Sequence, residues 1–243
     1  MHLAHLFFVF VCLNIDMTSE SLLSRLAASR VIKSDRVLKV MKKVDRAAYV
    51  PKGLDPYEDR PQPIGDGQTI SAPHMHGQAL ELLCPFLHPG CKALDIGCGS
   101  GYLTACMGEL VAPGGLVIGI ENRQSLVDLA LSNVSRDQPT LLKQGIVEIK
   151  FGDGWTGAGF KDHLFDAIHV GAAAETVPDQ LLRSLKPGGR MVIPVGPQWG
   201  SQTFLQIDKD KSGCVTQTEL MSVMYVPLEK EPGTPSRLLF RDL

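Results

Sequence analysis

The sequence predicts an α/β fold: a doubly wound, mainly parallel sheet with N-terminal helices before it and a C-terminal hairpin after it. Three observations predict it. Between residues 91 and 196, short apolar runs alternate with segments of helical period, the pattern of strands joined by crossover helices. The first of these runs ends in DIGCGSG, residues 95–101, a glycine loop set between a strand and a helix. The 243 residues are also 44% hydrophobic, enough to bury a sizeable core beneath helices on both faces of such a sheet.

Residues 1–16, MHLAHLFFVFVCLNID, stand apart. Their apolar run is far shorter than the ~20 residues that span a bilayer. It lacks the basic flank and small-residue cleavage site of a signal peptide. The segment reads as a start-site extension ahead of Met17, with a signal for the secretory pathway as the alternative. Leu22, Leu23, Leu26, Ala27 and Val31 then keep a helical period, as do Val37, Val40, Met41 and Val44. Two helices are expected across residues 18–47. Residues 50–73, rich in Pro, Gly and Asp, read as extended chain, and a helix follows from about His74 to Leu87.

The alternation comes next. CKALDIG is a strand, YLTACMGELV a helix, GLVIGIE a strand and SLVDLALSNV a helix. IVEIKFGD and FDAIHVG are strands, PDQLLRSL is a helix running into KPGG, and RMVIPVG is a strand. TFLQI and SVMYVPL close the pattern as two strands joined by a turn. One domain is expected over residues 17–243. Its helices and polar strip would occupy 17–90, its sheet core 91–197, and its last strands and tail 198–243.

Composition excludes several classes. The net charge is −2 and no basic run occurs, so no nucleic-acid partner is expected. No two of the six cysteines form a C-x-x-C pair, which removes a zinc or redox knuckle and fits reduced thiols in the cytoplasm. His74 and His76 have no Cys or acid at a ligand spacing, so no metal is expected. The segment DKDKSGCVTQTE, residues 208–219, places Asp208, Asp210, Ser212, Gly213 and Glu219 as a calcium loop would. Strand formers flank it where helices are required, so it reads as a polar hairpin turn with Gly213 at positive φ.

The glycine loop carries the first functional signal. Gly97, Gly99 and Gly101 let the backbone turn tightly and approach a ligand. Glu121 ends the second strand, where a carboxylate can take both hydroxyls of a ribose. A nicotinamide dinucleotide would lay its pyrophosphate on the helix N-terminus, but the spacing is D-x-G-x-G-x-G, and Asp95 would repel that phosphate. S-adenosyl-L-methionine, with a sulfonium, an ammonium and no phosphate, suits Asp95, Glu121 and the GDG at 152–154 better.

QTISAPHMH, ALDIGCGSGYLTA, VIGIE, GDG, DAIHVGAAA, LKPGGRMVIPVG and YVPL occur in that order. Together they resemble the protein-L-isoaspartate (D-aspartate) O-methyltransferase family over roughly residues 30–228. The resemblance implies a sheet of the S-adenosylmethionine-dependent methyltransferase type. It also implies methyl transfer to the free α-carboxylate of L-isoaspartyl residues in damaged proteins and peptides, repair through a succinimide, and release of S-adenosyl-L-homocysteine. It makes Ser71 the active-site serine and puts Gln68, Thr69, Ile70, Ser71 and His76 along the cofactor, with Asp153 and Gly154 at its adenine side. Asp95, Gly97, Cys98, Gly99, Ser100, Gly101, Glu121 and Asn122 complete the cofactor set. Ala72, His74, His169, Val170 and Val195 fall to the substrate. A monomer without stable membrane association is the matching expectation.

Taken alone, Ser71 also reads as a turn or capping serine, and His169 as a core histidine. Family members commonly carry Ser or Thr at the place of Cys98 and Asp at that of Glu121. The tail after Leu228 has no counterpart, and Glu229 falls where some relatives close the pocket. The alternatives are a non-catalytic cofactor-binding adaptor, a methyltransferase for another substrate, or a nicotinamide oxidoreductase.

Overall fold

The computed structural model describes residues 18–198 and 200–229. The expected start-site extension and the tail from residue 230 lie outside the described residues. Helix α1 (Ser19–Ala28) opens on a reciprocal cap between Thr18 and Ser21, and α2 (Asp35–Lys43) on the Ser34 hydroxyl. Such caps satisfy N–H groups that a first helical turn leaves free. A carboxylate oxygen of Glu81 accepts the Lys33 and Ser34 backbone N–H groups, fixing how the two helices enter the fold.

The extended region expected over 50–73 contains a small hairpin, β1 (Gln62–Gly65) paired antiparallel with β2 (Gln68–Ile70). Four-residue and three-residue strands this short leave little periodicity in a sequence. Helix α3 (Pro73–Leu83) follows directly. Proline at its first position loses no hydrogen bond there.

The core alternates as the sequence predicts: β3 (Lys92–Ile96), α4 (Tyr102–Val111), β4 (Leu116–Glu121), α5 (Gln124–Asp137), then β5 (Val147–Phe151). A short helix α6 (Pro139–Lys143), not anticipated, precedes β5. Then come β6 (Phe165–Val170), α7 (Asp179–Ser184), β7 (Leu185–Val195), β8 (Gln202–Lys209) and β9 (Val215–Val223). The sheet order is β5-β4-β3-β6-β7-β8-β9. Strands β3 to β7 run parallel, β8 runs antiparallel to them, and β9 turns back antiparallel to β8 as a hairpin. The chain winds outward from β3 to β5, then returns to β6 on the other side. The carboxyl ends of β3 and β6 therefore form the switch point where ligands enter such sheets.

Alternation along the strands splits the core in two. Ala93 and Val117 face the helices α1 to α6, which supply Leu26, Met41, Leu80, Met107, Val127 and Leu141. Leu94, Ile96, Ile118 and Ile120 face the other side, covered by Leu181 of α7 and by Phe160.

The final strand departs from expectation. SVMYVPL was read as the strand, whereas β9 lies earlier, on VTQTELMSV. As an edge strand largely exposed on both faces, β9 needs no apolar alternation. Regular pairing ends at Val223, and the segment around Pro227 makes only an isolated bridge to Ala173. The calcium-loop look-alike is thus divided. Asp208 lies within β8 and pairs with Arg190, Glu219 lies in β9, and Gly213 turns the hairpin at φ +91°.

Candidate active site

Two adjoining cavities open at the switch point. The inner one, about 340 Å³, is walled by Thr69, Ile70, Ser71, His76, Asp95, Gly97 to Ser100, Tyr102, Leu103, His169 and Gly171. The outer, about 430 Å³, shares Thr69, Gly97, Gly99 and Gly171 with it and adds Ile64, Gln68, Glu121, Asn122, Ala172 and Val226 to Glu229.

Strand register builds the inner wall. Asp95 and His169 are direct neighbours across β3 and β6. Oδ1 of Asp95 takes the hydrogen bond from His169 Nδ1 at 2.8 Å, and Oδ2 takes that of Thr104 Oγ1 at 2.6 Å. Each carboxylate oxygen thus carries one hydrogen bond from the protein, and Asp95 also orients the His169 ring. Gly119 makes this possible: a Cβ there would stand 3.2 Å from both Cys98 Cβ and Thr104 Cγ2, so its absence lets α4 lie close to the sheet. Gly101 starts α4 at φ +87°, a conformation that suits glycine.

The outer cavity centres on Glu121. One carboxylate oxygen accepts the Gly99 N–H at 3.1 Å and the other the Asn122 N–H at 2.8 Å. A carboxylate can accept about four hydrogen bonds, so capacity remains here for a ligand hydroxyl. Burial pushes the Glu121 pKa up, opposed by the backbone N–H groups of Gly99, Asn122 and Arg123.

A second wall comes from the N-terminal segment. His76 is buried, and its Nδ1 lies 3.2 Å from Arg46 Nη1. Burial first, then the adjacent guanidinium, hold its pKa well below the ordinary histidine value, so the ring is neutral. Arg46 also donates from Nη2 to the Ser71 carbonyl at 2.9 Å. The half-buried Ser71 side chain lies beside the Tyr225 phenol. Burial raises that phenol to about 12, keeping it protonated.

The segment after β9 straps across the opening. The Ala173 N–H donates to the Val226 carbonyl and the Leu228 N–H to the Ala173 carbonyl, each at 2.7 Å. Trp155 Nε1–H donates to the Leu228 carbonyl at 2.9 Å. Glu229 pairs with Arg123 at 2.9 Å, both side chains nearly buried.

Of the residues expected to line the site, Gln68, Thr69, Ile70, Ser71, His76, Asp95, Gly97, Cys98, Gly99, Ser100, Glu121, Asn122 and His169 meet at these cavities. The others stand back. Gly101 caps α4, and Ala72 is buried at the start of α3. Val170 is fully buried on the opposite face of the sheet, and Val195 packs against the same cluster. His74 turns outward to Asp59, which takes both its backbone N–H and its ring Nδ1 at 2.9 Å. Asp153 accepts the Trp155 N–H, and a Cβ on Gly154 would lie 2.7 Å from Ile96 Cγ2 and 3.5 Å from Leu228. These two therefore back the strap. Burial raises the Cys98 thiol, so it stays protonated and serves as a small side chain.

Arg46, Tyr102 and the strap residues Tyr225 to Leu228 are not among the site residues the sequence offers, whereas Glu229 falls where some relatives close the pocket. Arg46 sits in a three-residue 3₁₀ turn that carries no periodicity, and YVPL was read as strand. Among the described residues no three His, Cys, Asp or Glu side chains gather as a metal site, and no helix is long and apolar enough to cross a membrane.

The sheet order, the glycine loop and the acid at the end of β4 together define a Rossmann-like methyltransferase. The comparisons with known proteins narrow this. The family model described as protein-L-isoaspartate(D-aspartate) O-methyltransferase matches residues 17–233, and the chain belongs to that family. A protein-L-isoaspartate O-methyltransferase of Triticum aestivum is 50% identical over 82% of this chain and 85% of its own length. One of Caenorhabditis elegans is 46% identical over 87% and 92%. A Plasmodium falciparum crystal structure described as this enzyme in complex with S-adenosyl-L-homocysteine superposes with a TM-score of 0.81. It is 38% identical and covers 88% of this chain and 99% of that one.

Proposed function

We propose that this protein transfers the methyl group of S-adenosyl-L-methionine to the free α-carboxylate of L-isoaspartyl residues in damaged proteins and peptides. The observation that carries the reading is the folding of the polar strip 68–76 onto the glycine loop. Ser71, His76, Ser100 and His169 thereby share one cavity beside Glu121. When bound, the cofactor supplies a methyl group on a sulfonium.

The residues fit that group. Glu121 keeps acceptor capacity for a ribose hydroxyl, Ile64 and Val226 to Leu228 offer apolar faces for a base, and the nearby acids disfavour a pyrophosphate. A substrate carboxylate with a pKa of about 4 is already ionised at neutral pH, so the site needs no general base. Ser71 fits a positioning donor. The Ser71 O–H can donate to the carboxylate, with the Tyr225 phenol beside it. Alignment of this kind contributes about 7–11 kcal/mol to rate acceleration. His169, held by Asp95, meets the substrate from the opposite wall.

The methyl ester then loses methanol as the following backbone nitrogen attacks its carbonyl, giving a succinimide that reopens partly to normal aspartate. The free cysteines among the described residues suit a reducing cytoplasm, and we take the enzyme to act there as a monomer. Labelled S-adenosyl-L-methionine and two peptides differing only in one isoaspartyl or aspartyl linkage test the reading. Base-labile label on the isoaspartyl peptide alone is expected. Equal label on both, or none with S-adenosyl-L-homocysteine still bound, overturns it in favour of another substrate or an adaptor.

A further inference from the structure

Arg46 is 3% exposed, yet among the described residues its guanidinium joins no ion pair with a carboxylate. An unpaired buried cation is costly, and a chain that only needed to fill this space would place an apolar side chain there. What surrounds the guanidinium is instead the back of the inner cavity. Nη2 donates to the Ser71 carbonyl at 2.9 Å, Nη1 lies 3.2 Å from His76 Nδ1, and Cζ stands 5.7 Å from the centre of the Tyr102 ring. Nε is buried without a hydrogen-bond partner. Ser71, His76 and Tyr102 all line the cavity, while Arg46 does not.

The contact with His76 has a definite polarity. A guanidinium has donors and no acceptor. His76 Nδ1 must therefore accept, and the hydrogen of the neutral ring sits on Nε2. The side of the ring left to the cavity offers a donor. The same guanidinium fixes the carbonyl of Ser71 and so the place from which that hydroxyl acts.

We propose that Arg46 is a positioning residue for methyl transfer. From behind the cavity it holds the Ser71 backbone and fixes His76 as its Nε2–H tautomer, so that both donors meet the reactants in one arrangement. The proposal rests on the methyltransferase reading above for its kinetic consequence, and on geometry alone for the tautomer. Lysine has a single nitrogen and cannot serve the carbonyl and the ring together in the same planar fork, so R46K should recover only part of what R46M loses.

The test combines three measurements on the full chain. ¹⁵N-histidine spectra of the wild type should show His76 protonated at Nε2 and bare at Nδ1. R46M should lower kcat toward an isoaspartyl peptide on the order of 100-fold, the cost of slightly misplaced reactants, with a smaller change in KM. R46K should recover about tenfold of it. S-adenosyl-L-homocysteine titration should show weaker binding to R46M. A wild-type ring protonated at Nδ1 overturns the proposal without any variant. So does a folded R46M whose kcat lies within twofold of the wild type. If R46M does not fold, the wild-type spectrum and R46K decide, and full activity in R46K counts against the proposal. If the wild type fails to methylate the isoaspartyl peptide, the functional reading falls. The tautomer and the change in S-adenosyl-L-homocysteine affinity then judge Arg46 independently.

Discussion

The two walls of the inner cavity each present a histidine, and each ring is held at Nδ1 by a charged residue behind it. On the sheet wall the partner is Asp95, so His169 Nδ1 donates. On the N-terminal wall the partner is Arg46, so His76 Nδ1 accepts. The same side chain is thereby given opposite polarity on the two sides of one space. The residue that decides the chemistry of each wall is the one behind the ring. The walls also differ in origin. The first follows from register between adjacent strands, whereas the second is assembled from a 3₁₀ turn, a short hairpin and the start of α3.

Breaking the sheet wall should have the largest effect. In D95N one amide N–H₂ must face either the Thr104 hydroxyl or the His169 Nδ1–H, and a buried charge partner is lost. Leaving a buried donor without its acceptor costs about 1–3 kcal/mol. The expected outcome is a lower melting temperature together with S-adenosyl-L-homocysteine affinity reduced on the order of 100-fold, measured by calorimetry. Unaltered affinity would mean that Asp95 only supports the sheet.

On the N-terminal wall, S71A should separate turnover from binding. A hydrogen bond to a charged group contributes about 1.5–3 kcal/mol, so kcat should fall roughly 10- to 100-fold while S-adenosyl-L-homocysteine affinity stays within twofold. Y225F keeps the Ser71 hydroxyl and removes only the phenolic oxygen beside it. Its loss should be smaller, about five- to tenfold, and its kcat should not fall below that of S71A. A Y225F enzyme slower than S71A would move the positioning role from the serine to the tyrosine.

The strap is coupled to the outer cavity rather than to either histidine. In E229Q the contact with Arg123 loses its charge while the backbone bonds of Val226 and Leu228 to Ala173 remain. An ion pair this enclosed should contribute more than the ~1 kcal/mol ceiling typical of exposed pairs. Affinity for S-adenosyl-L-homocysteine should therefore drop about fivefold to tenfold, with kcat at saturating cofactor little changed. A fall in kcat alone would place Glu229 on the substrate side.

This contrast explains what could be read in the sequence. The sheet wall was legible because its residues sit at fixed offsets from strand ends. Asp95 precedes Gly97 by two residues and His169 precedes Gly171 by two, so parallel register sets them side by side. Even there, the engagement of both Asp95 oxygens was hidden, since Thr104 lies on a helix whose rotation the sequence does not specify. On the N-terminal wall the polar strip 68–76 was recognised through its family resemblance. Arg46 was not, because its role depends on tertiary packing. The strap was misread because Tyr225, Val226 and Leu228 are strand formers. Val226 and Leu228 are held by one isolated bridge to Ala173 and Tyr225 by the Gln202 side chain, not by a ladder.

Glu121 offers the smallest effect on stability and the finest test of how the outer cavity is built. Its pKa is raised in the folded protein, chiefly by burial. A carboxylate with a raised folded pKa binds its proton more tightly folded than unfolded. In its ionised form it therefore lowers stability, and that penalty fades as pH falls through the folded pKa toward the ordinary carboxylate range. E121Q has no charge to bury, but gives up one acceptor for the Gly99 or Asn122 N–H. Its melting temperature relative to wild type should therefore be higher at pH 7.5 than at pH 5, the difference changing by no more than about 3 °C for a chain of this size. In the same variant, S-adenosyl-L-homocysteine affinity should drop about tenfold as a charged acceptor for the ribose is lost. Gain in stability at neutral pH with loss of affinity would mark Glu121 as a group kept charged for its ligand. A melting difference independent of pH would instead mean that the backbone N–H groups fully offset its burial.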